Sequence, residues 1–229
     1  MPDYTEPSAI RDAYAGARTR LIAVVRADDG ERWQVSAPAC PGWTAHDVLA
    51  HLAANTTDAL AGRLSGPPSE EMTAVQVADR RDWPTSAVAD EWEANAEGID
   101  GLIDSMGMAV FTIAMDAITH EGDIRGALVE SRVPAEAVAF HHHFGAEGFA
   151  SRVTEHGLAA VEITADGETT VAGAGDPAIT LRAGRYDLSR AFLGRRSASQ
   201  VREFTWSGDP DPYVEIFGAF ALAGTPVVD

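Results

Sequence analysis

Apolar residues recur at spacings of three and four through the first 130 positions, a pattern typical of amphipathic helices. It predicts four long helices, over residues 6–28, 44–64, 85–105 and 108–129. Thr44 followed by Asp47 has the form of a capping box at the start of the second helix. Between the second and third helices, Pro, Gly and acidic residues predict a long loop with a short helical piece. The pattern therefore predicts that residues 1–133 form an up-and-down four-helix bundle.

The pattern changes after residue 133. Residues 135–155 predict one more helix, and the segments after residue 157 cluster Val, Ile and Thr between Gly-rich turns, as short antiparallel strands do. A short helix over 186–193, a strand over 201–206 and a closing helix over 213–222 complete the prediction. Residues 134–229 thus predict a connecting helix and a small α+β domain, so we expect an α+β fold for the whole chain.

The fourth helix is apolar nearly all round until Met115 and then turns polar. A buried helix that does so must pair its charges or bind something, because an unpaired buried charge is expensive. Asp116 and His120 lie four residues apart and share a helix face, while His51 projects from the second helix. Two imidazoles and one carboxylate form the ligand set of a catalytic zinc site, with a fourth position open. The alternative is a hydrogen-bonded polar cluster inside the bundle.

Composition removes several classes of function. The net charge of -18 argues against nucleic acid and anionic membrane surfaces as partners. All 17 basic residues are arginine, and the absence of lysine excludes Schiff-base chemistry and a Walker lysine. A polar N-terminus and no apolar run of 18 residues lead us to expect a cytoplasmic protein. Cys40 is the one cysteine, so no intramolecular disulfide forms, and we expect it to be structural.

Two further clusters are candidates for binding. Six of the 17 arginines fall between residues 182 and 202, and arginine can bind a carboxylate of substrate or cofactor through two hydrogen bonds. Arg182, Arg185 and Arg190 are the candidates, and the alternative is a solvated face that balances surplus acid. The second cluster is the run from His141 to His143. Consecutive helical residues point about 100° apart, so we expect this run to be incidental and rank it second to His51 for metal binding.

The run CPGWT at residues 40–44, the DVLAHL segment and the acid-xxx-His pair of the fourth helix together resemble the mycothiol-dependent maleylpyruvate isomerase family. The resemblance implies a DinB-like four-helix bundle followed by a sterol-carrier-like domain. It implies a divalent-metal site held by His51, Asp116 and His120. Asp116 stands where the family has Glu. Because Asp is one methylene shorter, the metal would sit closer to that helix or bind more weakly.

The same resemblance implies a thiol-dependent enzyme, with zinc as the expected metal and mycothiol as the thiol. A metal-coordinated thiol is deprotonated, and the thiolate would add to an activated cis double bond, allow rotation and leave. An S-transferase would use the same ligands, so the sequence leaves isomerase and transferase open. The alternatives are a metal-water hydrolase with Glu121 or Asp123 as base, and a non-enzymatic protein that binds a small apolar ligand.

The expected partners are therefore a small thiol and a small electrophilic substrate, acting on a monomer or homodimer. Arginine in place of lysine, with abundant Ala and Gly, suggests a high-GC genome. That composition fits the actinobacterial distribution of the resembled family.

Overall fold

The computed structural model describes residues 3–64 and 66–229, which divide into two compact units. The first contains the described residues up to Ala137 together with Asp229, and the second is Val138–Val228. The helices of the first unit are α1 (Pro7–Ala27), α2 (Ala45–Leu60), α3 (Glu70–Ala78), α4 (Thr85–Ala94), α5 (Ala96–Met106) and α6 (Phe111–Leu128). Helix α6 packs against α1 and α2, and α4 and α5 complete the bundle. The predicted α+β fold with a helical N-terminal part is confirmed.

Helix α2 begins where the sequence predicts it to begin. The Thr44 hydroxyl accepts a hydrogen bond from the Asp47 backbone N–H at 3.1 Å, and Asp47 Oδ2 accepts from the Thr44 N–H at 2.9 Å. Two of the backbone donors that every helix start leaves unpaired are thereby satisfied. The capping box fixes the phase of α2 and hence the direction in which His51 projects.

The predicted third helix is in fact two, α4 and α5, which meet at Asn95. The Asn95 side-chain nitrogen donates to the hydroxyls of Thr56 and Thr57 on α2, each at 2.9 Å. Helix α5 ends at Gly107, whose φ of +51° strongly favours glycine. A 3₁₀ turn over Gly107–Val110 follows, so α6 starts three residues later than predicted.

One stretch of the described residues, Ala96–Leu128, meets the length and composition expected of a membrane-crossing helix. It is not one continuous helix, since it comprises α5, the 3₁₀ turn and α6. Most of α6 is buried inside the helical unit, with Ala114, Ala117 and Ile124 fully covered. A core helix of a globular protein passes the same test, although only 33% of the most apolar 18-residue window is buried here.

A buried ion cluster joins α6 to α1. The Glu121 side chain is fully buried and accepts hydrogen bonds from Arg20 Nε at 2.8 Å and Arg20 Nη2 at 2.7 Å. Arg125, one turn further along α6, donates to the same carboxylate at 2.9 Å. Two guanidinium groups therefore compensate the desolvation of one carboxylate, which a buried charge requires. The cluster sets the position of α6 along α1.

The second unit contains a small mixed sheet with strand order β2-β1-β3-β4. Its strands are β1 (Val161–Ala165), β2 (Glu168–Ala172), β3 (Ile179–Ala183) and β4 (Thr205–Trp206), and its helices are α7 (Ala135–Glu155), which starts in the first unit, α8 (Arg185–Phe192), α9 (Ala198–Arg202) and α10 (Asp211–Val214). Strands β1 and β2 form a hairpin whose turn, Asp166-Gly167, has positive φ at both positions. Phe149, Phe192 and Phe217 pack together as its aromatic core.

Three predictions for this unit are wrong in detail. Strand β3 pairs with β1 in parallel, because the chain passes the end of β1 to reach its far edge instead of forming a second hairpin. Of the predicted strand over 201–206 only Thr205–Trp206 is strand, since Ser197 and Gln200 form a capping box that starts α9, which extends to Arg202. The predicted helix over 213–222 ends at Val214, and the Ala219 N–H then donates to the Phe192 carbonyl at 2.7 Å. In the first and third cases a contact distant in sequence overrides the local pattern.

We expect Glu121→Gln to lower the free energy of unfolding by about 3 kcal/mol, since it leaves two guanidinium groups around a neutral amide. Urea denaturation followed by circular dichroism measures the change. Glu130→Gln is the matched control, because Glu130 forms a 2.6 Å ion pair with Arg32 in which both side chains are about one-third exposed. The free energy of unfolding of Glu130→Gln should fall by less than about 1 kcal/mol. Equal losses would show that Glu121 is not a structural anchor.

The second unit should lose stability in mild acid through His142. Burial and the nearby Arg185 cation lower the pKa of His142 to about 4, whereas an unfolded histidine has a pKa of about 6.5. The unfolded state therefore binds more protons between these values, and His142 should remove up to about 3 kcal/mol as the pH falls through that window. Denaturation curves of His142→Asn should show a correspondingly flatter pH dependence. If the stability of His142→Asn depends on pH as steeply as that of the wild type, His142 is not the source of the acid sensitivity.

Candidate metal centre

Helices α2 and α6 bring the three predicted ligands together. His51 on α2 and Asp116 and His120 on α6 place one donor atom each within 4.8 Å of one another. His51 Nε2 lies 3.6 Å from Asp116 Oδ2, and His120 Nε2 lies 3.4 Å from Asp116 Oδ1. Both histidines are buried, at 5% and 7% exposure, while about a third of the Asp116 side chain is exposed. The cluster is thus closed on the histidine sides and open beside the carboxylate.

These separations suit a metal ion. Ligands bound tetrahedrally to zinc at about 2.0–2.1 Å lie about 3.4 Å from each other. The two nitrogen–oxygen distances, 3.4 and 3.6 Å, match that spacing and exceed an ordinary hydrogen bond. The shorter side chain of Asp116 nevertheless reaches both imidazoles. Three protein ligands leave the fourth position for a further ligand.

The tautomer of His51 follows from the amide of Gln76 on α3. Gln76 Nε2 donates to Asn55 Oδ1 at 3.0 Å and to Asp58 Oδ2 at 2.6 Å, which leaves its Oε1 as the acceptor. His51 Nδ1, 3.0 Å from that oxygen, is therefore the protonated nitrogen. His51 Nε2 keeps its lone pair toward Asp116. An outer hydrogen bond of this kind orients a ligating histidine.

His120 is oriented in the same way by a carboxylate. Its Nδ1 donates to Asp123 Oδ2 at 2.9 Å, and the Asp123 side chain has no exposed surface. Its Nε2 consequently points to Asp116. The Asn55 amide nitrogen donates to Asp116 Oδ2 at 3.1 Å and lies 3.2 Å from His51 Nε2. The side chain of Asn55 thus contacts two of the three candidate ligands.

The electrostatics of the cluster favour a cation. Burial by itself raises the pKa of Asp116, but the nearby charge of His120, with a smaller effect of His51, lowers it well below its usual range. Burial by itself lowers the pKa of His120, but the nearby charge of Asp116, helped by hydrogen bonds to Asp123 and Cys40, raises it well above its usual range. The arrangement therefore stabilises positive charge between His120 and Asp116, where a metal ion would replace a proton.

The CPGWT run forms a tight loop over this cluster. Backbone hydrogen bonds from Cys40 to Ala37 at 2.9 Å and from Trp43 to Cys40 at 3.0 Å close the loop. Gly42 has a φ of +87°, which favours glycine. The Trp43 ring lies 5.5 Å from the ring of His51 and 6.5 Å from that of His120, measured between centroids. Trp43 thus packs against both candidate ligands.

Sequence reasoning missed the position of Cys40. Its half-buried Sγ lies 3.1 Å from Asp123 Oδ2 and 3.8 Å from His120 Nδ1. Eighty residues separate Cys40 from His120, so no local pattern indicates the contact. The only signal in the sequence was that CPGWT directly precedes the helix that carries His51.

The other candidates lie elsewhere. Within residues 3–64 and 66–229, the three-ligand groups spaced for a metal ion are the two that contain His120, and neither includes the run from His141 to His143. Several arginines of the 182–202 cluster pair locally: Arg185 with Glu168 at 3.0 Å, Arg196 with Asp187 at 2.8 Å and Arg202 with Asp211 at 2.7 Å. Arg190 is buried and Arg182 is exposed. Carboxylate binding by Arg182, Arg185 and Arg190 stays a prediction.

A groove of about 540 Å³ runs beside α2 and α3. Its lining residues are Asp58, Arg63, Ser69, Glu71, Met72, Val75, Gln76, Asp79 and Arg80. None of the three candidate ligands lines it. Gln76 and Asp58, however, also belong to the hydrogen-bond network that orients His51. We place the chemistry at the histidine cluster because its donor atoms converge, whereas the groove carries no comparable group.

Comparisons with known proteins agree with this architecture. Residues 14–109 match the family model described as the mycothiol maleylpyruvate isomerase N-terminal domain. That region contains His51 and ends before Asp116 and His120. Among curated proteins, none matches the chain by sequence.

Two crystal structures resemble the chain in fold. One is the mycothiol-dependent maleylpyruvate isomerase, with a TM-score of 0.59, and the other is a histidine-to-alanine mutant of that enzyme, with a TM-score of 0.60. Each is 14% identical in sequence, and the similarity covers 90% of this chain and 96% of the crystallised one. At this identity the likeness shows a shared fold. Together with the sequence match over residues 14–109, it confirms the resemblance to the mycothiol-dependent maleylpyruvate isomerase family.

Proposed function

We propose that this protein is a divalent-metal-dependent enzyme of the maleylpyruvate isomerase type, with zinc as its metal and mycothiol as its thiol cofactor. The observation that carries the proposal is the convergence of His51 Nε2, His120 Nε2 and the Asp116 carboxylate at metal-ligand spacing. Each imidazole has its other nitrogen held by an acceptor. Such preorganisation is expected of a binding site and is not needed by a merely structural polar cluster.

The charge of the site favours a thiolate as the fourth ligand. Two neutral imidazoles and one carboxylate would leave a divalent ion with a net charge of about +1. A bound ion would supply the charge that lowers the pKa of a coordinated thiol. His51, Asp116 and His120 would hold the ion, and Trp43 covers the imidazole rings on one side. The exposed part of Asp116 marks the side from which ligands enter.

The attacking thiol should come from outside the protein. The chain has no lysine, and its one cysteine is Cys40. The Cys40 thiol donates to Asp123 and faces Nδ1 of His120, whereas the proposed metal ligand is Nε2. Cys40 is therefore on the wrong side of the imidazole to attack a substrate at the open position. A small thiol that adds to an activated double bond and later leaves would supply the missing nucleophile.

The hydrolase alternative is less consistent with the contacts. Glu121 is enclosed by Arg20 and Arg125, so it cannot activate a water at the histidine cluster. Asp123 is fully buried and accepts hydrogen bonds from His120 and Cys40. A general base must reach the proton that it removes. We therefore favour isomerisation, with thiol transfer to a small electrophile as the second candidate because it would use the same ligands, and we place the enzyme in the cytoplasm.

Removal of either histidine tests the metal site. His51→Ala and His120→Ala should each abolish stoichiometric zinc binding, because two remaining ligands do not hold the ion. Helical content should stay near wild type, and Asp116→Glu should still bind zinc. Calorimetry and elemental analysis measure binding, and circular dichroism reports folding. His156→Ala, at an exposed position, is the matched control. A histidine variant that binds one zinc with unchanged affinity would place the site elsewhere.

Thermal stabilisation tests the thiol. Mycothiol should raise the melting temperature of the zinc-loaded protein, since a ligand that binds only the folded state stabilises it by about 2.7 kcal/mol at a hundred times its dissociation constant. Glutathione should act more weakly, and S-methylated mycothiol should have little effect because its sulfur cannot become a thiolate. His120→Ala supplies the metal-deficient control. No shift at millimolar mycothiol, with zinc confirmed present, would remove the thiol mechanism.

A further inference from the structure

Two groups of candidate ligands share His120. One contains His51 and Asp116, on the Nε2 side of the ring, and the other contains Cys40 and Asp123, on the Nδ1 side. Since a histidine offers both nitrogens, residue types alone do not say which group would hold an ion. Cysteine, histidine and aspartate are all ligands that zinc accepts. The distances distinguish the two groups.

The Nδ1 side has hydrogen-bond spacing. Asp123 Oδ2 lies 2.9 Å from His120 Nδ1 and 3.1 Å from Cys40 Sγ. Both values are below the separation of about 3.4 Å between ligands of one tetrahedral ion. One carboxylate oxygen thus accepts from an imidazole N–H and from a thiol. On the Nε2 side the corresponding distances are 3.4 and 3.6 Å, which suit an ion.

We infer that Asp123 is a positioning residue that holds His120 in the orientation required for metal binding, and that Cys40 supports Asp123 without being a ligand. The inference rests on the proposed function, because it presupposes an ion at His51, Asp116 and His120. Asp123 lies three residues after His120 on α6, so helix geometry keeps the two side chains in register. The full burial of its carboxylate strengthens the hydrogen bond to His120.

The role of Cys40 follows from the geometry of the loop. Cys40 is held by the closed backbone of the CPGWT run, and its thiol donates to Asp123 Oδ2 at 3.1 Å. The thiol gives the buried oxygen a second donor. A hydroxyl can replace it in that role, whereas a thiol ligand of zinc could not be replaced by serine without a large loss. Cys40→Ser therefore separates the two interpretations.

The experiment measures metal affinity and the cobalt spectrum of the intact protein. Zinc affinity is obtained by chelator competition, and Co²⁺ serves as a spectroscopic probe of the same ligands. Asp123→Ala should lower zinc affinity by about 10- to 100-fold, the usual effect of removing an outer partner of a ligating histidine. It should also shift the visible d–d bands of bound cobalt. Asp123→Asn, which keeps the shape and one acceptor oxygen, should restore part of the affinity and remains informative if the alanine variant does not fold.

Cys40→Ser should leave zinc affinity within a few-fold of wild type, and bound cobalt should show no sulfur-to-cobalt charge-transfer band. The control is Asp104→Asn, a surface acid paired with Arg11 at 2.8 Å, which should change neither readout. A charge-transfer band in wild type that Cys40→Ser removes would overturn the inference and make Cys40 a ligand. Unchanged affinity and spectra in both Asp123 variants would also overturn it, with the proposed metal site intact. A wild-type protein that binds neither metal would instead reject the proposed function.

Discussion

Helix α6 carries charged side chains through the interior of the helical unit, and the rest of that unit is arranged to satisfy them. A buried charge without a partner costs several kcal/mol, so each of these residues requires a neighbour on another element or one turn away. Helix periodicity divides the requirement between two faces. Glu121 accepts from Arg20 of α1 and from Arg125. Asp116, His120 and Asp123 lie toward α2 and the loop before it. One face contributes stability and the other forms the candidate metal centre.

The two faces depend on each other through the position of the helix. His120 and Glu121 are consecutive, so the ion cluster with Arg20 fixes the axial position and rotation of α6 at the residue next to a candidate ligand. On the neighbouring helix, the capping box of Thr44 and Asp47 fixes the start of α2. His51, which lies beside Asp116, follows Thr44 by about two helical turns. The ligand distances are therefore set by contacts outside the cluster. Preorganised sites are generally supported in this way.

Much of the helical unit could be predicted from the sequence because its signals are local. Apolar periodicity located α1, α2 and α6 within a few residues, and the capping box named the first residue of α2. The break at Asn95 escaped prediction because its cause is a pair of hydrogen bonds to α2. The parallel pairing of β3 and the short α10 escaped it for the same reason, as both depend on residues brought together by the sheet and the aromatic core.

The candidate site was less predictable than the bundle. Spacing alone placed Asp116 and His120 on one face, but a surface ion pair has the same spacing. The sequence groups His51 with them because it projects from the second helix, and the family resemblance implies the same set. The structure brings all three side chains together. Asn55 shares a polar stripe of the second helix with His51, four residues away, so the sequence places it beside the candidate site. Gln76, which orients His51, carries no sequence signal of its own, since amides are common on helix surfaces. For Cys40 the sequence predicts a structural thiol just before a helix, because the one histidine near it in the chain is His46.

Interatomic distances are needed to tell the roles of Asp116 and Asp123 apart. In the sequence both are aspartates within one turn of His120, at positions i−4 and i+3, and either could be the ligand. In the structure Asp123 Oδ2 is at hydrogen-bond distance from Nδ1, at 2.9 Å, and is sealed from solvent. Asp116 is 3.4 Å from Nε2, faces a second imidazole and is partly exposed. An ion needs the wider spacing, a second ligand and an open side, whereas an orienting acceptor needs contact and burial. Of the two, Asp116 has the first set of properties and Asp123 the second, which is why we propose different roles for them around one histidine.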